Sequence, residues 1–281
     1  MSSIIKVDTI QDQAGNNIIN ESGNTITIGA SGDTITIPSG ATFTNSGTTS
    51  AITISGALTV DGGTIKLDGN YPTGSNNVAM GDTALDSLTS GDQNTAIGFA
   101  ALTANTEGTN NTAIGLCALC SNTTGDTNTA LGVNALDANT TGDENTGLGG
   151  SALGVNTTGC YNTAVGRFAL FANTTASNNT AVGYCSLKVN TTGACNVSVG
   201  VFTLDANTTG GCNTGLGYGA LSVNTTGANN TAVGFYSLLE NTTASNNTAV
   251  GTQALRANTT GTTNVAVGLC ALKANTTADD N

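Results

Sequence analysis

The sequence predicts a mainly β fold, a parallel β-solenoid or β-roll of twelve seventeen-residue coils standing after a β-rich fibrous stem. Three observations predict it. Residues 77–280 are twelve copies of N-T-A-[VIL]-G-x-x-A-L-x-x-N-T-T-G-x-x without one insertion, so each residue has a fixed place around a coil. Position 5 of the motif is Gly and position 9 is Leu in every copy. Aromatic residues are only 4% of the 281, too few for a large compact core, yet 38% hydrophobic and 9% charged residues exclude a disordered polyelectrolyte.

The N-terminal element, residues 1–76, has another rhythm. "NTITIGASGDTITIPSGATF" and "SAITISGALTVDGGTIKLDG" alternate apolar and polar residues with Gly-rich turns between, the pattern of short strands. They suit a fibrous attachment stem better than a closed barrel. Pro72 marks the boundary. The repeat array then occupies residues 77–281, its copies starting at Asn77, Asn94 and so on to Asn264, with Asn281 opening a thirteenth. That broken copy leads to the expectation that the natural protein continues.

Numbering each copy 1 to 17 gives columns. Columns 2–4, Thr-Ala-Val in the typical copy, carry β character and end at the column 5 Gly. Columns 6–11 centre on Ala-Leu and are expected to form a helical turn or an irregular segment. Asn-Thr-Thr-Gly supplies turn chemistry for the return. In-register stacking is expected to bring columns 4 and 9 into one thin core, with Asn and Thr ladders satisfying polar groups between coils.

The residues "IIKVDTIQDQAGNNII" and "SGNTITIGASGDTITI", followed by the "NTAVGxxALxxNTTGxx" array, resemble tail-fibre or other virion fibre proteins of marine and cyanobacterial phages. The A-[IV]-G strand is more distantly similar to the head repeats of trimeric autotransporter adhesins, whose repeat is shorter. The resemblance implies a non-enzymatic fibre subunit, a coaxial homotrimer. It would be joined through the N-terminal segment to tail or baseplate proteins and would support attachment to a host surface glycan or protein receptor. It further implies assembly in the host cytoplasm and residence in the virion. A thin lone coil, with little core to protect, also favours self-association. Two rivals remain: a cell-surface adhesin and an ice-binding solenoid using the Thr columns 2, 13 and 14.

Composition narrows the chemistry. A net charge of −12 with six Lys and Arg disfavours nucleic acid and anionic membranes as partners. No apolar run is long enough for membrane insertion, and the first residues lack the apolar stretch of a secretory signal. With no His, neither a Ser-His-Asp triad, a Cys-His pair nor a His-rich metal site can form, and we expect no catalytic residues, cofactor or metal. Acidic pairs such as Asp143–Glu144 and Asp279–Asp280 fall in columns 16 and 17 and read as solvated turn residues. The Asn-Thr-Thr sequons are explained by the period. Cys117 and Cys120 have CxxC spacing without a second pair, so free thiols are expected. Cys195 and Cys212 share column 17, and stacking would bring their Cα atoms to about 4.8 Å, within disulfide reach, with the redox state left open.

The aromatics carry the sharper signal. Phe99, Tyr184, Tyr218 and Phe235 stand in column 6, Phe168, Phe202 and Tyr236 in column 7, and Phe171 in column 10. Such a ridge would be either a receptor or sugar contact, or ordinary packing between chains.

Overall fold

The computed structural model describes residues 75–281. Nearly all of the stem expected over residues 1–76 lies outside the described residues. The repeat array is a parallel β-solenoid. Twelve three-residue strands, β1 (Val78–Met80) to β12 (Val265–Val267), recur at seventeen-residue spacing, one per coil. They form one sheet whose strand order is the chain order. Every pairing is parallel and joins equal columns, as where Thr95, Ala96 and Ile97 face Thr112, Ala113 and Ile114.

The middle residue of each strand, column 3, faces inward, and Ala96, Ala113, Ala130, Ala164 and Ala181 are fully buried. Column 9 faces it from the opposite wall, where the leucines from Leu85 to Leu255 are fully buried. Column 8, usually Ala, closes the core. The expectation that column 4 would share this core is overturned. Side chains alternate across a strand, so with column 3 inward, columns 2 and 4 must point outward. Met80, Leu131 and Leu216 of column 4 are accordingly exposed. A single bulky leucine per coil fills the interior, and the facing strand has space only for alanine, serine or glycine.

Of the two forms expected for columns 6–11, the helical turn is overturned. Columns 7 and 9 adopt left-handed backbone, with φ from 51° to 62° and from 47° to 57° respectively. A helix needs consecutive right-handed residues, and alternating hands give two successive tight turns instead. The column 8 N–H donates to the column 5 carbonyl (Ala101 to Gly98, 3.4 Å), and the column 12 N–H to the column 9 carbonyl (Asn105 to Leu102, 3.1 Å). Left-handed leucine is unfavourable by roughly 1–2 kcal/mol. Burial of the side chain, about 1.5–3 kcal/mol, offsets it. The turn also aims the leucine N–H at the next coil, as in Leu102 to the Ala118 carbonyl, 3.0 Å.

Leu170→Ala is therefore expected to destabilise the chain by about 2–5 kcal/mol, whereas Phe171→Ala, at a half-buried outer position, costs clearly less. Thermal melting of the two variants checks this. Equal losses would show that column 9 is not the inward face.

Two buried asparagine ladders line the return side. In column 1, each Asn accepts from the next Asn's backbone N–H, as at Asn94 Oδ1 and Asn111 N, 3.0 Å. In column 12, the amides chain to one another: Asn139 Nδ2 donates to Asn122 Oδ1 at 2.9 Å, and Asn156 Nδ2 to Asn139 Oδ1 at 2.8 Å. Both ladders converge on the column 15 carbonyl, where Gly142 accepts from Asn128 Nδ2 at 2.8 Å and Asn139 Nδ2 at 3.0 Å. These side chains are fully buried, and their saturation removes the penalty that a buried amide otherwise carries. Outside them, column 13 hydroxyls donate to the carbonyl of the same column in the next coil, as in Thr140 Oγ1 to Thr157, 3.0 Å. The polar ladders expected from the sequence are present.

Candidate functional site

Among the variable columns, 6, 7 and 10 hold every aromatic residue of the repeat array except Tyr161. Spacing places Phe99 alone on the second coil, 53% exposed. Phe168 and Phe171 meet edge to face within coil six, centroids 5.6 Å apart. From coil seven onward the rings join across coils. Tyr184 meets Phe202 at 5.5 Å and Phe202 meets Tyr218 at 6.1 Å. Tyr218 then stacks with Phe235 at 5.7 Å and meets Tyr236 edge to face at 5.4 Å. Left-handed column 7 throws its side chain toward the neighbouring coil's column 6, so most ring contacts run along the shaft rather than around it. Tyr184, Tyr218 and Phe235 stay substantially exposed, so the ring row is a surface feature and not core.

Cations attend these rings. The Arg167 guanidinium lies 4.3 Å from the Phe168 centroid and Lys188 Nζ lies 5.7 Å from it. Arg256 stands 6.0 Å from the Tyr236 ring. The array has only one further Lys or Arg, Lys273, so the positive charge of the array is concentrated on the aromatic row.

Behind the row, the core of coils seven to nine turns polar. Ser186 Oγ donates to Ser198 Oγ at 2.7 Å, Ser198 Oγ to the Thr203 carbonyl at 2.8 Å, and Thr203 Oγ1 to the Gly217 carbonyl at 2.5 Å. Thr203 is larger than the usual column 8 alanine, and column 3 of the next coil compensates: a Cβ on Gly215 would lie 2.6 Å from Thr203 Cγ2.

Between Phe202 and Tyr236 the row opens into a groove of about 310 Å³ whose floor includes Asp205, Ser222 and Leu239. Ser222 Oγ donates to Asp205 Oδ1 at 2.7 Å. Burial raises the Asp205 pKa, while the Ser222 bond and the Lys188 charge pull it back. The Tyr218 hydroxyl is raised too, chiefly by its hydrogen bond with Tyr236. The Arg256 Nε is buried without a partner.

Other candidates are less organised. All seven cysteines carry free thiols. Cys120 is pushed up to about 11, mainly by burial and then by the charge of Cys117, so this thiol is poorly reactive at neutral pH. Cys195 and Cys212 are both exposed, at stacked positions of column 17. Asp143 Oδ1 accepts from the Asp126 N–H at 2.8 Å. Asp279 is lowered by the backbone N–H and hydroxyl of Thr262. Column 16 acids thus tie successive coils together rather than face one another across a cleft. Among the described residues, no group of three or more Cys, Asp or Glu could hold a metal ion, and no helix is long and apolar enough to cross a membrane.

No protein-family model, curated protein or solved structure compared with the chain matches it.

Proposed function

We propose that this chain is a structural fibre subunit of a virus particle, a phage tail fibre whose solenoid is a stiff spacer in host attachment. The observation that carries the reading is the unbroken ladder: backbone bonds and the column 1 asparagines run through all twelve coils, and the column 12 asparagines through coils two to twelve, Leu88 standing in the first. A rod bonded this way bends only by breaking several bonds at once, which suits a part that holds a receptor-contacting element away from the particle. The virion setting rests on the resemblance of the N-terminal segment and the repeat to phage fibre proteins. In this setting residues 1–76 join tail or baseplate proteins, and the host partner is a surface glycan or protein.

The shaft is a coaxial homotrimer in this reading. Columns 2 and 4 contain only Thr, Val, Ile, Leu and Met through all twelve copies, a charge-free sheet face along the entire array. Parallel sheets are ordinarily covered on both faces, and two further copies of the chain would cover this one. Light scattering on the purified chain is expected to give three times the 27.6 kDa protomer mass, and mass spectrometry of purified virions is expected to detect the subunit. A clean monomer at micromolar concentration overturns the trimer, and absence from virions overturns the fibre.

The same flat row of column 2 threonines favours one second reading, ice binding. Column 13 hydroxyls already donate to the next coil, which leaves that array fewer free donors. A thermal-hysteresis assay separates the two, and the fibre reading expects none.

A further inference from the structure

Column 7 carries a side chain in eleven coils and none in coil nine, where Gly219 stands. The backbone does not ask for glycine there. Its φ of 62° is close to the 51° to 58° that Thr, Ala, Cys, Asn, Ser, Phe, Tyr and Gln adopt in the same column. Space asks for it instead: a Cβ on Gly219 would lie 2.6 Å from the Tyr236 ring. The missing side chain lets that ring pack against the Gly219 backbone, and both residues line the groove between Phe202 and Tyr236.

The groove so formed has aromatic walls and opposite charges. Tyr218 and Tyr236 offer ring faces and edges, together with hydroxyls. Asp205 comes from coil eight and Arg256 from coil eleven, three coil spacings or about 14 Å apart along the array. Only one oxygen of Asp205 is engaged by Ser222, so the carboxylate keeps acceptor capacity.

These features select a ligand class by elimination. A compact ion could reach only one of two charges this far apart and would leave the other without a partner. An acyl chain would cover both charges without satisfying either, at the usual cost of desolvation. A neutral sugar has an apolar C–H face for the rings, hydroxyls that donate to Asp205, and hydroxyl oxygens that accept from Arg256. The volume, about 310 Å³, sits at the lower end of ligand pockets, about 300–1,000 Å³, which fits one or two sugar rings.

We infer that the groove between Phe202 and Tyr236 binds a neutral disaccharide unit of a surface glycan. The inference rests on the fibre reading only in placing the groove away from the sheet face the chains share. It makes the shaft itself, and not solely an element beyond it, a glycan-contacting part of the molecule.

The test is saturation-transfer NMR followed by calorimetry on the full chain, with lactose, maltose, cellobiose and N,N′-diacetylchitobiose as probes and sialyllactose as the charged control. At least one neutral disaccharide is expected to bind. Gly219→Phe, which restores the side chain found at Phe202 one coil earlier in the same column, is expected to displace the Tyr236 ring and weaken binding at least tenfold without changing oligomeric mass. Tyr218→Ala, at an exposed ring, is expected to do the same should the phenylalanine disturb folding. Phe99→Ala, far along the shaft, should leave binding unchanged. Failure of every neutral probe to bind, stronger binding of sialyllactose, or undiminished binding by both groove variants overturns the inference. A change of oligomeric mass in Gly219→Phe also overturns it, because the groove would then belong to a chain–chain contact. Trimer mass and presence in virions are read separately, so the fibre reading survives or fails independently.

Discussion

Deleting residues 162–178, one whole copy, is expected to leave a folded, assembled shaft shorter by about 4.8 Å, while deleting only Ala172–Thr174 is expected to break it. In the first variant Tyr161 joins Asn179, and every column meets its own kind, because coil seven presents the same Asn, Ala, Gly and Leu columns as coil six. The lost contribution is one coil and one interface of a nearly additive series. The three-residue deletion removes far less chain but destroys phase. It takes out Asn173, whose Nδ2 bonds Asn156 Oδ1 at 2.7 Å and the Ala176 carbonyl at 2.9 Å. It also leaves coil six too short to carry both Leu170 and Asn179 to their columns. Coils on either side can stack only among themselves. Proteolysis is expected to cut at coil six, and electron microscopy to show kinked or separated rods. If both deletions gave equally protease-resistant rods, the stack would tolerate a shift of phase and column register would not be what holds neighbouring coils together.

Period and fold class were legible in the sequence because they depend on length and on residues that recur. Leu at column 9 is a case in point: its invariance marks it as the one large side chain each coil must bury. The asparagine ladders were legible for the same reason. What failed was direction. Column 4 is as apolar as a core position, and only the phase of a three-residue strand decides that column 3 is inside. A strand this short has no alternation long enough to reveal it. The helical turn failed because Ala-Leu between polar residues suits a helix by propensity, and propensity cannot show that columns 7 and 9 are left-handed. Neither column is rich in Gly or Asn, the usual sign of such backbone.

The aromatic row was legible as a set of positions, and its internal geometry was not. The residues were picked out by column, but contacts such as Tyr218 to Tyr236 join column 6 of one coil to column 7 of the next. That pairing exists because coils stack one strand spacing apart, a relation absent from any within-copy spacing. The groove itself is signalled by a missing side chain, Gly219, in a chain with 38 glycines. It falls in a column otherwise without glycine, a mark it shares with Gly150, Gly154 and Gly211.

Glycine supplies the second large effect. Gly166→Ala is expected to cost more than about 3 kcal/mol and to disrupt stacking between coils six and seven. Column 5 is glycine in all twelve copies, with φ between 125° and 139°, where an L side chain is strained by roughly 1–3 kcal/mol. The added Cβ of residue 166 would also lie 2.6 Å from the Gly183 carbonyl oxygen and 2.7 Å from its carbon. Those atoms are backbone at the end of the next strand, and retreat would break the sheet. Column 15 is the control. A Cβ on Gly159 would come even closer, 2.3 Å from the Ala176 carbonyl oxygen, yet that column already holds Ala176, Ala244 and Ala278. Its backbone φ is not positive; the new Cβ would also approach Asn156 Oδ1 to 2.5 Å, a side chain that can shift, and the neighbouring coil must yield. It does so by spreading the coils: Thr174 N to the Thr191 carbonyl and Thr242 N to the Thr259 carbonyl stretch to 3.3 Å, where other coils hold 2.8 to 3.0 Å. Gly159→Ala is therefore expected to cost about 1 kcal/mol or less. Urea denaturation of the two variants decides the matter. Equal losses would mean that contact distance, not backbone φ, sets the tolerance of each glycine column.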